Sequence, residues 1–258
     1  MSEPAKAGDV YVLKIGGSVV TEKGEVRRAR RDVIKRISTE IARARARKKL
    51  ILVHGAGSYG HPQAMVYLKS HDATDALITH ESAKELNRIV LSSLMESGLR
   101  VMPIHPLSGV VSTGGTIRYN IKEQIALALI MDIIPVLHGD VIMDEKKGFV
   151  ILSGDQLVVY AAREFAVAKV GVGTDVDGVL DDNGAVIRTI TPADVDTLSI
   201  KGSEHVDVTG GMKAKVHLLA KLAYERNIPS ILFNASKEST IRKFLRNDES
   251  LLGTVVRA

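Results

Sequence analysis

Cysteine is absent from the 258 residues, and tryptophan with it. Neither a disulfide nor a thiolate metal site can therefore hold this fold, which suits a reducing compartment. Aromatic residues amount to only 4%, so the stacking platforms used by single-stranded nucleic-acid binders are scarce. No apolar run approaches membrane-spanning length, and the opening stretch MSEPAKAGD lacks the apolar core of a signal peptide. The expectation is a cytoplasmic protein with no membrane partner. No internal repeat, low-complexity segment or Pro/Ser-rich linker divides the chain, so one domain over 1–258 is expected.

What is present is an ordinary globular mixture: 45% hydrophobic, 25% charged, net charge +5. Much of the positive excess lies in RRARR (27–31) and RARARKK (43–49). Arg43, Arg45 and Arg47 fall near the end of a helical pattern, where cations complement the helix dipole. A solvated helix face accounts for them better than an RNA footprint, and no nucleic-acid partner is expected.

Short apolar runs alternate with helical patterns. VYVLKI (10–15), LILV (50–53), RVMPI (100–104), IIPVL (133–137), AKVGVG (168–173), IPSILF (228–233) and GTVV (253–256) read as strands. Helical spacing occupies 30–46, 80–97, 121–130, 155–165 and 212–226. VIMDEKKGFVIL (141–152) and DGVLDDNGAVI (177–187) read as hairpins, the second turning at Asn183-Gly184. The alternation predicts an α/β fold with a mainly parallel sheet covered on both faces.

In such sheets ligands bind beyond the carboxyl ends of the strands. The glycine clusters fall there: Gly16-Gly17, the loop VHGAGSYGH (53–61), Gly139, and Gly210-Gly211 before the helix at 212. LKIGGS places Lys14 inside a strand end, followed by two glycines and Ser18. A buried ammonium needs a partner, and an anion on the backbone N–H groups of the turn would supply one; a lysine snorkelling from the strand end is the plainer alternative. The spacing fits neither a Walker loop nor a dinucleotide fingerprint.

In the loop after the second strand, Gly55, Gly57 and Gly60 allow close backbone approach, and Ala56 adds little bulk. His61 precedes Pro62 where a helix begins, a place that suits anions. Asp155 in SGDQL is either a helix cap with Ser153 or a functional acid. Thr174, Asp175 and Asp177 follow a strand, the two acids suited to magnesium or to closing the next hairpin. Lys213 and Lys215 open a helix, where cations oppose the dipole unless a phosphate-rich ligand sits nearby.

Together LKIGGS, HGAGSYGH, HGD, SGD, GTDVDGV and TGGMKAK resemble the amino acid kinase superfamily over residues 10–256. Within it the chain is most similar to the archaeal type of isopentenyl phosphate kinase. The histidine ending GSYGH and the spacing of Lys14 and Lys23 carry that likeness. The resemblance implies a three-layer αβα sandwich that transfers the γ-phosphoryl group of ATP, with Mg²⁺, to isopentenyl phosphate. It also implies a homodimer, with the acceptor held roughly by 1–150 and the nucleotide by 151–258.

Carried over, Lys14 and Lys213 would stabilise the transferring group, with Lys23 assisting, and His61 would bond the acceptor phosphate. Ala56, Gly60 and Gly139 would line the acceptor site. Lys14, Gly16, Gly17, Ser18, Gly57, Asp155, Thr174, Asp175, Asp177, Gly211 and Lys215 would serve the nucleotide, and no protein ligand is assigned to the metal. GAGSY stands where the family often has GGGSF. Met65, Tyr67, Leu68, Leu86 and Ile89 are candidates for an apolar channel around a prenyl tail. Other readings are a kinase for another small anion such as fosfomycin or an acyl or carbamoyl group, a nucleotide-binding regulator without turnover, or an RNA binder.

Overall fold

A computed structural model describes residues 10–46, 48–198, 211–248 and 253–258. In chain order the elements begin with β1 (Val10–Ile15), α1 (Gly17–Val20), α2 (Arg31–Ala44), β2 (Lys49–His54), α3 (His61–Ser70) and α4 (Ala73–Glu96). There follow β3 (Val101–Ile104), α5 (Pro106–Gly109), β4 (Val110–Thr113), β5 (Thr116–Tyr119), α6 (Lys122–Ile130) and β6 (Ile134–His138). The middle of the chain forms β7 (Asp140–Asp144), β8 (Gly148–Leu152), α7 (Gly154–Glu164) and β9 (Val167–Thr174). The rest is β10 (Thr189–Ile190), α8 (Gly211–Arg226), β11 (Ser230–Asn234), α9 (Thr240–Arg246) and β12 (Thr254–Val256).

The eight-stranded sheet runs β10-β12-β11-β9-β1-β2-β6-β3, parallel except where β11 meets β12. Side chains alternate between its faces, as the period of two requires. Val10 and Val12 of β1 pack with Leu157 and Val158 of α7, Val216 and Leu219 of α8, and Ile125 of α6. Tyr11, Leu13 and Ile15 face the other way, toward Ile34 and Ile41 of α2, Leu86 of α4 and Phe244 of α9. Two helical layers thus enclose one sheet, the αβα sandwich expected. Burial on both faces is why the central strands read as continuous apolar runs.

Several local expectations change. The helix read from residue 80 begins at Ala73, because Asp72 Oδ1 accepts from Thr74 N–H at 2.7 Å and caps it. The Asn183-Gly184 turn exists, but its hairpin shrinks to one bridge between Leu180 and Val186. A second sheet, β5-β4-β7-β8, stands beside the first. The β7–β8 hairpin was legible, whereas β4–β5, turning on Gly114 and Gly115, was not. Leu86 is fully buried and Ile89 packs with it in the core on the α2 side of the sheet. Gly210, half of the fourth glycine pair, lies outside the described residues. Among the described residues no helix is long and apolar enough to cross a membrane.

Candidate active site

The central strands β9, β1, β2 and β6 end side by side, and the glycine turns collect there. Gly16 N–H donates to Gly173 O at 2.8 Å, and Gly55 N–H donates to Ile15 O at 2.9 Å. A Cβ on Gly17 would lie 2.4 Å from Gly57 N, and one on Gly55 would lie 2.5 Å from Gly17 N. The two turns therefore touch backbone to backbone, a contact only glycine permits. At Gly60 a Cβ would come within 2.4 Å of Ala56 Cβ, so the alanine in GAGSY makes that glycine obligatory. Gly139 borders both the start of α7 and Ala56 N, at 3.4 and 3.9 Å from its own hypothetical Cβ.

Lys14 is buried at the end of β1, and its partner is protein: Nζ lies 2.7 Å from Asp155 Oδ1. Lys215 reaches the same carboxylate from α8, 2.8 Å from Oδ2. Asp155 is free for this because Ser153 caps α7 instead, its Oγ accepting from Gln156 N–H while Gln156 Oε1 accepts from Ser153 N–H. Burial alone would raise the Asp155 pKa, but Lys14 and Lys215 outweigh it and hold the carboxyl well below its ordinary range. One buried carboxylate is thus shared by two ammonium groups. The Cβ position of Gly154 is 3.2 Å from Lys14 Cε, so the cluster sits against the start of α7. Lys213, two residues before Lys215, is exposed.

A second charged group lies where α1 meets the end of β9. Ser18 Oγ donates to Asp175 Oδ1 at 2.9 Å, and Lys23 Nζ lies 2.5 Å from Oδ2. Asp177 is taken by Lys237 at 2.7 Å and by Asn234 Nδ2 at 3.0 Å. Thr174 Oγ1 donates to Val176 O at 2.9 Å and shapes the turn. Among the described residues no cluster of three or more His, Asp or Glu is poised around a metal ion. Gly211, with φ +63°, is the first residue of α8.

His61 is the first residue of α3, next to Gly60 and ahead of Pro62. Tyr59 packs into the core on the α2 side. Beyond the loop, Tyr67, Ala76 and Val141 form a separate small apolar cluster with Phe149 and Ile151, between α3, α4 and the β7–β8 hairpin. Met65 and Leu68, also candidates for the tail, are on the exposed side of α3.

The sequence reading gave no functional role to other residues of this region. Thr21 Oγ1 donates to Gly17 O at 2.8 Å and accepts from Ser58 N–H at 3.0 Å, stitching one glycine turn to the other. Behind the loops, His54 stacks on His138, which is bonded to His105; His80 Nδ1 lies 2.9 Å from Asp140 Oδ1. Burial, reinforced by His138, pushes the His54 imidazole down to about 3, and burial with His138 and His80 pushes His105 down to about 4. Of these residues, HGAGSYGH contained His54, and HGD contained His138 and Asp140.

The amino acid kinase family model matches residues 9–234. Isopentenyl phosphate kinase of Methanocaldococcus jannaschii is 34% identical over 253 residues, covering 91% of this chain and 94% of that protein. The Haloferax volcanii isopentenyl phosphate kinase is 39% identical over 219 residues, covering 83% of this chain and 88% of its own. A solved isopentenyl phosphate kinase structure aligns with TM-score 0.80 and 28% identity, over 95% of this chain and 99% of that one. A family model over residues 9–234 and relatives 34% and 39% identical over most of the chain show that it belongs to the amino acid kinase family, in its isopentenyl phosphate kinase branch.

Proposed function

We propose that the protein transfers the γ-phosphoryl group of ATP to isopentenyl phosphate, forming isopentenyl diphosphate and ADP. The observation that carries this is the Lys14–Asp155–Lys215 cluster, in which one buried carboxylate holds two lysines, set against two touching glycine turns. The acceptor phosphate has a second pKa near ~6, so at neutral pH it is already an anionic nucleophile and needs no base. One of its oxygens bonds to the γ-phosphorus as the bond to the β–γ bridging oxygen breaks, and ADP leaves. The demand on the protein is charge neutralisation and alignment of two polyanions.

Lys14 and Lys215 meet that demand at the transferring group, with Lys23 near the phosphates. Lys213 keeps a place at the nucleotide side with Gly16, Gly17, Ser18, Gly57, Asp155, Thr174, Asp175, Asp177 and Gly211. His61, at the N-terminus of α3, donates to the acceptor phosphate beside Ala56, Gly60 and Gly139. The small cluster of Tyr67, Ala76, Val141, Phe149 and Ile151 provides an apolar end for the tail. Because Asp175 and Asp177 already carry Lys23 and Lys237, no protein ligand is assigned to Mg²⁺, which would enter with ATP and offset its charge.

In this reading the chain is one domain, acceptor side roughly 1–150 and nucleotide side roughly 151–258, working as a homodimer in the cytoplasm. An ATP-consumption screen over isopentenyl phosphate, dimethylallyl phosphate, fosfomycin, glutamate, carbamate and UMP tests it. Isopentenyl phosphate is expected to give the highest kcat/KM; preference for fosfomycin or an amino acid would overturn the acceptor assignment.

A further inference from the structure

Two histidines stand behind the acceptor loops in matching positions. β2 and β6 run parallel with His54 opposite His138, and each strand passes directly into a glycine. Each imidazole turns onto the carbonyl of that glycine: His54 Nδ1 is 3.0 Å from Gly55 O, and His138 Nδ1 is 3.0 Å from Gly139 O. A carbonyl only accepts, so both rings donate from Nδ1, and in a neutral ring Nε2 is then a bare acceptor. His138 Nε2 accepts from His105 Nδ1 at 2.9 Å. His54 Nε2 is buried with no partner among the described residues.

An aliphatic side chain would fill position 54 without an unpaired buried acceptor, which is costly. What the imidazole adds is the bond from Nδ1. That bond fixes the plane of the Gly55–Ala56 peptide. Carbonyl and N–H of a trans peptide point in opposite directions, so holding Gly55 O toward His54 turns Ala56 N–H away from it. Ala56 N–H donates to no described residue, and it borders Gly139. The His138 ring, 5.7 Å away and 24° from parallel, backs His54, and Gly139 N–H donates to His54 O at 3.1 Å.

We infer that His54, backed by His138, is a positioning residue that aims the Ala56 amide at the acceptor phosphate; this rests on the acceptor reading above. The ring touches no substrate. Its neutrality follows from burial beside a second imidazole.

The test compares His54→Leu, which lacks the donor, with His54→Asn, whose Nδ2 stands where the imidazole Nδ1 does. The leucine variant is expected to raise KM for isopentenyl phosphate about tenfold with KM for ATP unchanged, and the asparagine variant to recover most of that loss. Unchanged KM in the leucine variant, equal increases for both substrates, or an asparagine variant no better than leucine would overturn the assignment. If the wild-type protein does not phosphorylate isopentenyl phosphate, the acceptor reading falls separately. Inorganic phosphate titrated into ¹⁵N-labelled protein then decides the positioning role: the Ala56 amide resonance moves in the wild type and not in the leucine variant, and no movement in the wild type contradicts it. If the leucine variant does not fold, imidazole ¹⁵N shifts of the wild type decide, with His54 as the Nδ1–H tautomer supporting the inference and Nε2–H refuting it.

Discussion

One carboxylate holds two lysines at 2.7 and 2.8 Å at the heart of the proposed site. Both ammonium groups are held in place before any substrate arrives, so little reorganisation accompanies charge development on the transferring phosphoryl group. Lys215→Ala is therefore expected to lower kcat by on the order of 10²–10³ at saturating substrates, and Lys213→Ala by less. Steady-state kinetics on both variants check this, and the opposite order would reject the placement. Lys14 was legible because a charged residue inside an apolar strand stands out. The choice between the lysines of GGMKAK was not. Two positions apart, they point about 200° apart around a helix, and only the packing of α8 beside α7 brings Lys215 to Asp155. Asp155 was equally ambiguous, since SGD offers two caps and the capping box with Gln156 settles on Ser153.

Between elements, the decisive contact joins the turn after β1 to the turn after β2. Gly17 and Gly57 pack without side chains, and the Thr21 hydroxyl closes the joint by bonding Gly17 O and Ser58 N–H. Thr21→Val would leave the Ser58 amide unpaired in a buried place, and kcat/KM for both substrates should fall about tenfold. Thr21→Ser should restore it. Parallel kinetics and melting curves separate the cases: a lower Tm with unchanged kinetics would make Thr21 a stability residue only. Nothing in the sequence marks this threonine, because its role comes from a loop 37 positions away. The long strands and α2 were legible from periodicity. The four-residue β4 and β5 are too short to show a period, and their turn depends on positive φ at Gly114 and Gly115.

The whole molecule is organised around β1. It pairs along its length with β2 on one side and with β9 on the other, so the proposed acceptor and nucleotide sides share one sheet. Neither side can lose its strands without exposing both cores, which predicts a single cooperative unfolding transition in calorimetry, with van't Hoff and calorimetric enthalpies equal. Two resolved transitions would contradict the one-domain reading. The layers were legible from the sequence because a doubly covered parallel sheet writes itself as unbroken apolar strands between amphipathic helices. The central claim is that a phosphate, held by the His61 loop, is the acceptor. The most direct measurement is ³¹P NMR of the protein with ATP, Mg²⁺ and isopentenyl phosphate, repeated with His61→Ala. The account predicts one isopentenyl diphosphate per ADP from the wild type and a severe loss of turnover in a folded variant; no diphosphate product, or an undiminished rate in the variant, would contradict it.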